Sequence, residues 1–339
     1  MTKLEVLSNV SFKEVITSVE LVDLTGDGTQ EVVTTSINGD IRALSYDQSK
    51  KKPLKEIAHL DGLPPLAALG VGDILGNGIP DLVVGGLDNA VRVISFLDGE
   101  FKASAVTPVG SLPTAIGVFN VLNDSSSEVI IATADRNLRC YGWYDVVLDK
   151  LAHRVLDKPT FSIQPLVTKG MPYSRFVFGD ETGYLYIFQY ADDRLHERGR
   201  VSVGGEVGLV ATGDVTGNGS SEIMVVSDGR VLGLYGFVKG SLEKLDSVRA
   251  PNDVTSLRVG QFWKLDVPKG QLVVSHKNSK LTLLNFIGKL IGEEASIKTA
   301  RRATESMISV GNIDGGSGPR IVQGVGNSLN VIGVDDELV

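Results

Sequence analysis

The sequence predicts an all-β protein, a seven-bladed β-propeller with four antiparallel strands in each blade. Three observations carry this reading. A polar, glycine-broken loop recurs through the 339 residues, beginning near residues 23, 73, 120, 167, 214, 261 and 312, at spacings of 50, 47, 47, 47, 47 and 51. After each loop, two apolar runs flank a short turn rich in Asn, Asp and Gly, which is the hairpin signature. Where it is clearest, the fourth run is more polar, as in "LKEIAHL" and "EKLDSV", and suits a solvated edge strand. A fixed period of this length marks a repeat architecture, and closing the repeats radially removes their exposed edges. Seven units fill residues 1–339 as a single propeller and leave no room for a second domain.

Each element follows in order. A first apolar run enters the loop ("TSVELVD", "ALGVGD", "AIGVFN", "LVATGD"), and a second leaves it ("EVVTTS", "DLVVGG", "EVIIATA", "EIMVVS"). The turns "INGD", "LDNA", "ADRN", "DETG", "SDGR", "KNSK" and "VGNS" then lead to a third run. In six units that run ends on an aromatic residue: Tyr46, Phe96, Trp143, Tyr190, Phe237 and Phe286. Recurrence at one structural position points to packing between blades. Alternating strand direction puts the loops on one face and the hairpin turns on the other. Residues 1–12 precede the first inner run, and they are expected to return as the outer strand of the seventh blade, closing the ring.

Composition narrows the function. The chain is 42% hydrophobic and 22% charged, enough to bury a large core. Its net charge of −8 argues against nucleic acid or an anionic membrane as the main partner. The short basic runs "KKKPLK" and "KTARR" read as solvated loops. One cysteine, Cys140, allows no intrachain disulfide and suits a small buried hydrophobe. The first residues lack the apolar segment of a signal peptide, and no apolar run approaches the roughly 20 residues of a membrane span. A soluble, cytoplasmic protein is expected.

The loops "VDLTGDGTQEVVTT", "GDILGNGIPDLVVGG" and "GDVTGNGSSEIMVV" resemble the FG-GAP (VCBS-like) repeat of integrin-α-type seven-bladed propellers. That repeat runs roughly Asp-x-Asn/Asp-Gly-Asp-Gly-x-x-Asp into an apolar strand. The resemblance spans the chain in its period and is strongest in units 1, 2 and 5. It implies an interaction module, and in some family members a calcium ion in the loop.

Two readings of the loops stand side by side. A calcium ion needs six to eight oxygens on a sharply turned loop. Unit 1 offers Asp23, Thr25, Asp27, the carbonyl of Thr29 and Glu31, and unit 5 offers Asp214, Thr216, Asn218, the carbonyl of Ser220 and Glu222. Unit 2 offers Asp73, Asn77 and Asp81, but places Leu75 at the third position. Unit 3 has the same defect at Leu122, and units 4 and 7 put Arg175 and Arg320 at the ninth position. No copy with the complete loop has an acid at the third position. The alternative is a hydrogen-bonded turn in which the first and fifth side chains cap backbone N–H groups. The turn reading is preferred; calcium, if bound, would be structural, and no cofactor is required.

Catalytic patterns are missing from the sequence: the four histidines stand apart from any nucleophile motif, and no P-loop, G-x-S-x-G or H-E-x-x-H occurs. The expected function is a non-catalytic scaffold for another protein, such as a subunit of an intracellular complex would be. Alternatives are a carbohydrate-binding propeller and a hydrolase or lyase acting in the central channel. Partner-binding candidates are the aberrant "FWK" segment of unit 6 (Phe262, Trp263, Lys264) and the charged turns: Asp40, Asp88, Asp135, Asp180, Glu181 and Asp228, with Lys277 and Lys280 as a basic sector. Phe262 and Trp263 could equally fill a groove between blades six and seven.

Overall fold

The computed structural model describes residues 2–170, 175–238, 241–250, 252–262, 269–287, 290–300, 306–316 and 318–335. Among these, 28 strands form seven four-stranded antiparallel sheets arranged as the blades of a propeller. The inner strands are Ile16–Val22, Leu66–Gly72, Pro113–Phe119, Ile163–Leu166, Val207–Gly213, Val254–Gly260 and Ser306–Gly311. Each successive inner strand packs beside the next around a central channel, and the seventh returns to the first.

Burial follows position in the blade. The second strands, such as Glu31–Ser36, Glu128–Thr133 and Glu222–Ser227, are buried along their whole length. They lie between neighbouring blades, so both faces are covered, which explains continuous β-branched runs where an exposed strand would alternate. Outer strands such as Ser241–Arg249 alternate with solvent.

The core is divided among the junctions. Each of seven hydrophobic clusters draws side chains from two adjacent blades. At the junction of blades 3 and 4, Leu138 and Cys140 meet Phe176, Phe178 and Phe188, whose rings pack with centroids 5.1 Å to 6.4 Å apart. The six aromatics that end the third strands all pack in these junctions, as their recurrence predicts. Burial pushes the Cys140 thiol well above its usual range, so it stays protonated and inert.

Ring closure uses both termini of the described chain. Strand Lys3–Ser11 pairs antiparallel with Ser328–Asp335, from Lys3 opposite Asp335 to Ser11 opposite Ser328. Leu7, Val10 and Phe12 pack into the junction of blades 7 and 1, and Leu4 into that of blades 6 and 7. Gly333 is small because Leu7 lies over it; a Cβ there would sit 2.9 Å from the Leu7 side chain.

Candidate functional site

On the loop face the side chains are committed to the backbone. Asp23 accepts the N–H groups of Gly26, Asp27 and Gly28 at 2.7–3.2 Å, and Asp214 accepts those of Gly217, Asn218 and Gly219 at 2.6–3.1 Å. Asp73 takes the N–H groups of Asn77 and Gly78. The fifth position caps the seventh: Asp27 to Thr29, Asn77 to Ile79, and Asn218 to Ser220. The ninth-position acid folds beneath its loop. Glu31, Asp81, Glu128 and Glu222 are buried and accept N–H groups from the second or third loop residue.

Glu222 has the fullest shell. Besides Val215 and Thr216 N–H, it accepts the Thr216 hydroxyl and the Asn218 amide, both at 2.9 Å. An amide N–H occupies the space where a cation would compete. Thr25 is also turned toward the Glu31 carboxylate, at 3.5 Å. Burial raises the pKa values of Glu31, Asp81, Glu128 and Glu222 above the ordinary carboxylate range, against the lowering effect of the N–H donors. Among the described residues no cluster of three His, Cys, Asp or Glu side chains is placed to hold a metal ion. The loops have a second use as clasps between blades: Gln30 N–H reaches Asn312 O, Ser127 reaches Asp73, Ser221 reaches Val167 and Gly270 reaches Asp214.

In the channel, the charged side chains neutralise each other. Arg258 of blade 6 reaches Glu20 of blade 1 at 2.7 Å, and Ser309 of blade 7 donates to the same carboxylate. The channel cavity, about 400 Å³, is lined by small and hydroxyl residues such as Ala67 and Thr114 together with apolar ones such as Val118, Phe161 and Leu209.

On the turn face two of the six candidate carboxylates, Asp40 and Asp180, are buried, and Asp88 and Asp135 are exposed but bonded to neighbouring side chains. Asp40 is buried and accepts from Ser36 at 2.7 Å and meets His59 at 3.0 Å. Asp88 is held by Arg92, and Asp135 by Thr133 and Arg139. Asp180 is buried under the Tyr186 hydroxyl at 3.0 Å, while Lys280 pairs with Glu293. Burial would raise Asp40, but Ser36, His59 and Arg42 outweigh it and hold its pKa below the usual value. These groups build their own turns. Phe262 is half-buried in the junction of blades 6 and 7, where its N–H meets Gln271, so it fills the groove between them. Trp263 and Lys264 lie outside the described residues.

What this face shows to solvent is a divided ring. The residue after each second strand and the residue before each inner strand lie side by side, joined by a hydrogen bond in five blades, as in Ile37 N–H to Val15 O. In blades 1 to 3 these positions carry Val15 and Ile37, Pro65 and Leu87, Leu112 and Ala134. In blades 5 and 6 they carry Glu206 and Asp228, Asp253 and Lys277. Val15, Ile37 and Leu87 are each about half exposed, at 52%, 45% and 49%.

Phe161 breaks the pattern more sharply. The inner strands of blades 1, 2, 3, 5 and 6 bulge at Thr17, Ala67, Thr114, Gly208 and Thr255, each at the channel mouth. Phe161 stands 47 residues after Thr114 and 47 before Gly208, in the same place in blade 4. The residue is 62% exposed. The neighbours hold it fixed: the Thr160 carbonyl accepts the Thr114 hydroxyl at 2.7 Å, and the Ser162 hydroxyl bonds Val210 of blade 5.

No family model matches the chain, and no curated protein matches it. Among solved structures, it is similar to BBS1N in two crystal structures of its complex with ARL6DN. The mercury-soaked crystal aligns with a TM-score of 0.70 at 14% identity, covering 98% of this chain and 96% of BBS1N. The lead-soaked one aligns at 0.68 and 12%, over the same shares. The propeller fold is shared. At this identity nothing finer follows from the likeness.

Proposed function

We propose that this chain is a non-catalytic interaction scaffold that presents the turn face of a rigid propeller to a protein partner within an intracellular complex. The carrying observation is the set of exposed apolar residues on the turn face: Val15 and Ile37 in blade 1, Leu87 in blade 2, and Phe161 of blade 4, which lines the channel cavity. A lone exposed apolar side chain means little, whereas several presented on one face of a rigid ring offer anchor points for a partner. The complexes of BBS1N with ARL6DN support the reading by analogy, as a propeller of the same fold bound to a second protein.

The FG-GAP kinship remains part of this proposal, resting on the loops of units 1, 2 and 5. Their function in this reading is to turn the chain and clasp neighbouring blades. The saturation of Asp23, Asp214 and Glu222 by N–H donors supports turns without calcium.

The test is affinity capture from the native cell extract with the parent chain, with Ile37→Asp/Leu87→Asp, and with Val146→Asp on the opposite face as control. A protein partner lost only with the double variant is expected. Capture of no protein, or equal recovery with all three, would sink the reading.

A further inference from the structure

The geometry points to the channel mouth as the recognition site, and to its occupant as a protein segment bearing an aromatic or branched aliphatic side chain a few residues from a lysine or arginine. This rests on the scaffold reading and adds which residues recognise the partner and what chemistry that partner must have.

Phe161 is the anchor. An exposed phenyl ring contributes little to the core, and at the corresponding spacing five other blades carry Thr, Ala or Gly. The anchored Thr160 and Ser162 on either side hold its backbone, so little freedom is lost when a partner side chain packs on it. Phe161 lines the channel cavity of about 400 Å³, which has room for an inserted side chain, and Ile37 and Leu87 add exposed apolar groups on the same face in blades 1 and 2.

The other half of the mouth supplies charge. Glu206 and Asp228 are joined by two hydrogen bonds, Asp228 N–H to Glu206 O at 2.9 Å and Glu206 N–H to the Asp228 carboxylate at 3.1 Å. Both residues are exposed, and among the described residues neither carboxylate has an ion-pair partner. Their neighbours differ: Glu181 pairs with Lys158, and Asp253 with Arg230. Two adjacent unpaired carboxylates in blade 5, on the same face as Phe161 of blade 4, favour a cationic side chain at one end of a hydrophobic ligand. An acidic segment, a nucleic acid or an anionic membrane would be repelled. A second copy of this chain, itself carrying −8, is disfavoured for the same reason.

The probe is a displayed library of random dodecapeptides selected on the full chain. Selected peptides are expected to combine an apolar anchor with Lys or Arg. Phe161→Thr, which installs the residue that blades 1, 3 and 6 use, should weaken them about tenfold or more, the scale of an aromatic hot spot. Glu206→Gln with Asp228→Asn should weaken binding and flatten its dependence on salt. If Phe161→Thr lowers the melting midpoint, Ile37→Ser replaces it as the apolar test. Enrichment of acidic peptides, no enrichment, or binding indifferent to both sets of substitutions overturns the inference. So does a concentration-dependent dimer abolished by Phe161→Thr. If the cellular partner is still captured while these outcomes fail, the scaffold reading survives without this site.

Discussion

Removing residues 1–12 tests the closure of the ring. The deletion withdraws Leu4, Leu7, Val10 and Phe12 from two blade junctions and leaves Ser328–Asp335 as an unpaired edge. Full burial of such a side chain is worth roughly 1.5–3 kcal/mol, and these four are half-buried, so each contributes about 1 kcal/mol and the set about 4 kcal/mol. An unfolding entropy of about 2.1 cal/mol/K per residue over 339 residues gives roughly 0.7 kcal/mol for each degree. The melting midpoint of the shortened chain should therefore fall by about 6 °C in a calorimetric scan. A synthetic peptide of residues 1–12, added in excess, should restore part of the loss by mass action. An unchanged midpoint would show that this strand does not staple the blades together, and the stability argument for closure would fail.

Three further outcomes follow from the same geometry. Gly39 has φ +87°, and a Cβ there would lie 1.9 Å from the Leu63 carbonyl oxygen, so Gly39→Ala should cost about 3 kcal/mol or more; a thermal midpoint within a degree of the parent would refute this. Burial raises the Glu128 pKa above 4.5, so the folded state favours the proton: its contribution is unfavourable at neutral pH and is relieved as pH falls through the raised value toward 4.5. Glu128→Gln should therefore flatten the gain in melting temperature between about pH 7 and about pH 5, and an identical slope in parent and variant would contradict the assignment. Finally, excess calcium and excess chelator should give the same midpoint within about a degree; occupancy at 100 times a dissociation constant would add roughly 2.7 kcal/mol, or about 4 °C here.

The partner site was less legible than the fold. Asp40, Asp88, Asp135 and Asp180 look like an acidic rim in the sequence because turns favour Asp. Their side chains instead bond Ser36, Arg92, Thr133 and Tyr186. A linear sequence does not say whether a turn carboxylate points outward or back on its own backbone. Phe161 left a signal that inner-strand alignment would have exposed, since it interrupts a series of Thr, Ala, Thr, Gly and Thr at near-constant spacing. That the corresponding residues of five other blades sit at strand bulges is a feature of strand pairing, and pairing is not written in local composition.

The sevenfold period, the alternating turns and the continuous runs of the second strands determined the fold by themselves, because each unit can bury its apolar faces only against copies of itself. The tertiary structure decided which side chains remain available. Glu206 and Asp228 of blade 5 came to lie on the same face as Ile37, Leu87 and Phe161 of blades 1, 2 and 4 only once the blades closed into a ring. Nearness across a ring depends on closure, which brings together residues far apart along the chain.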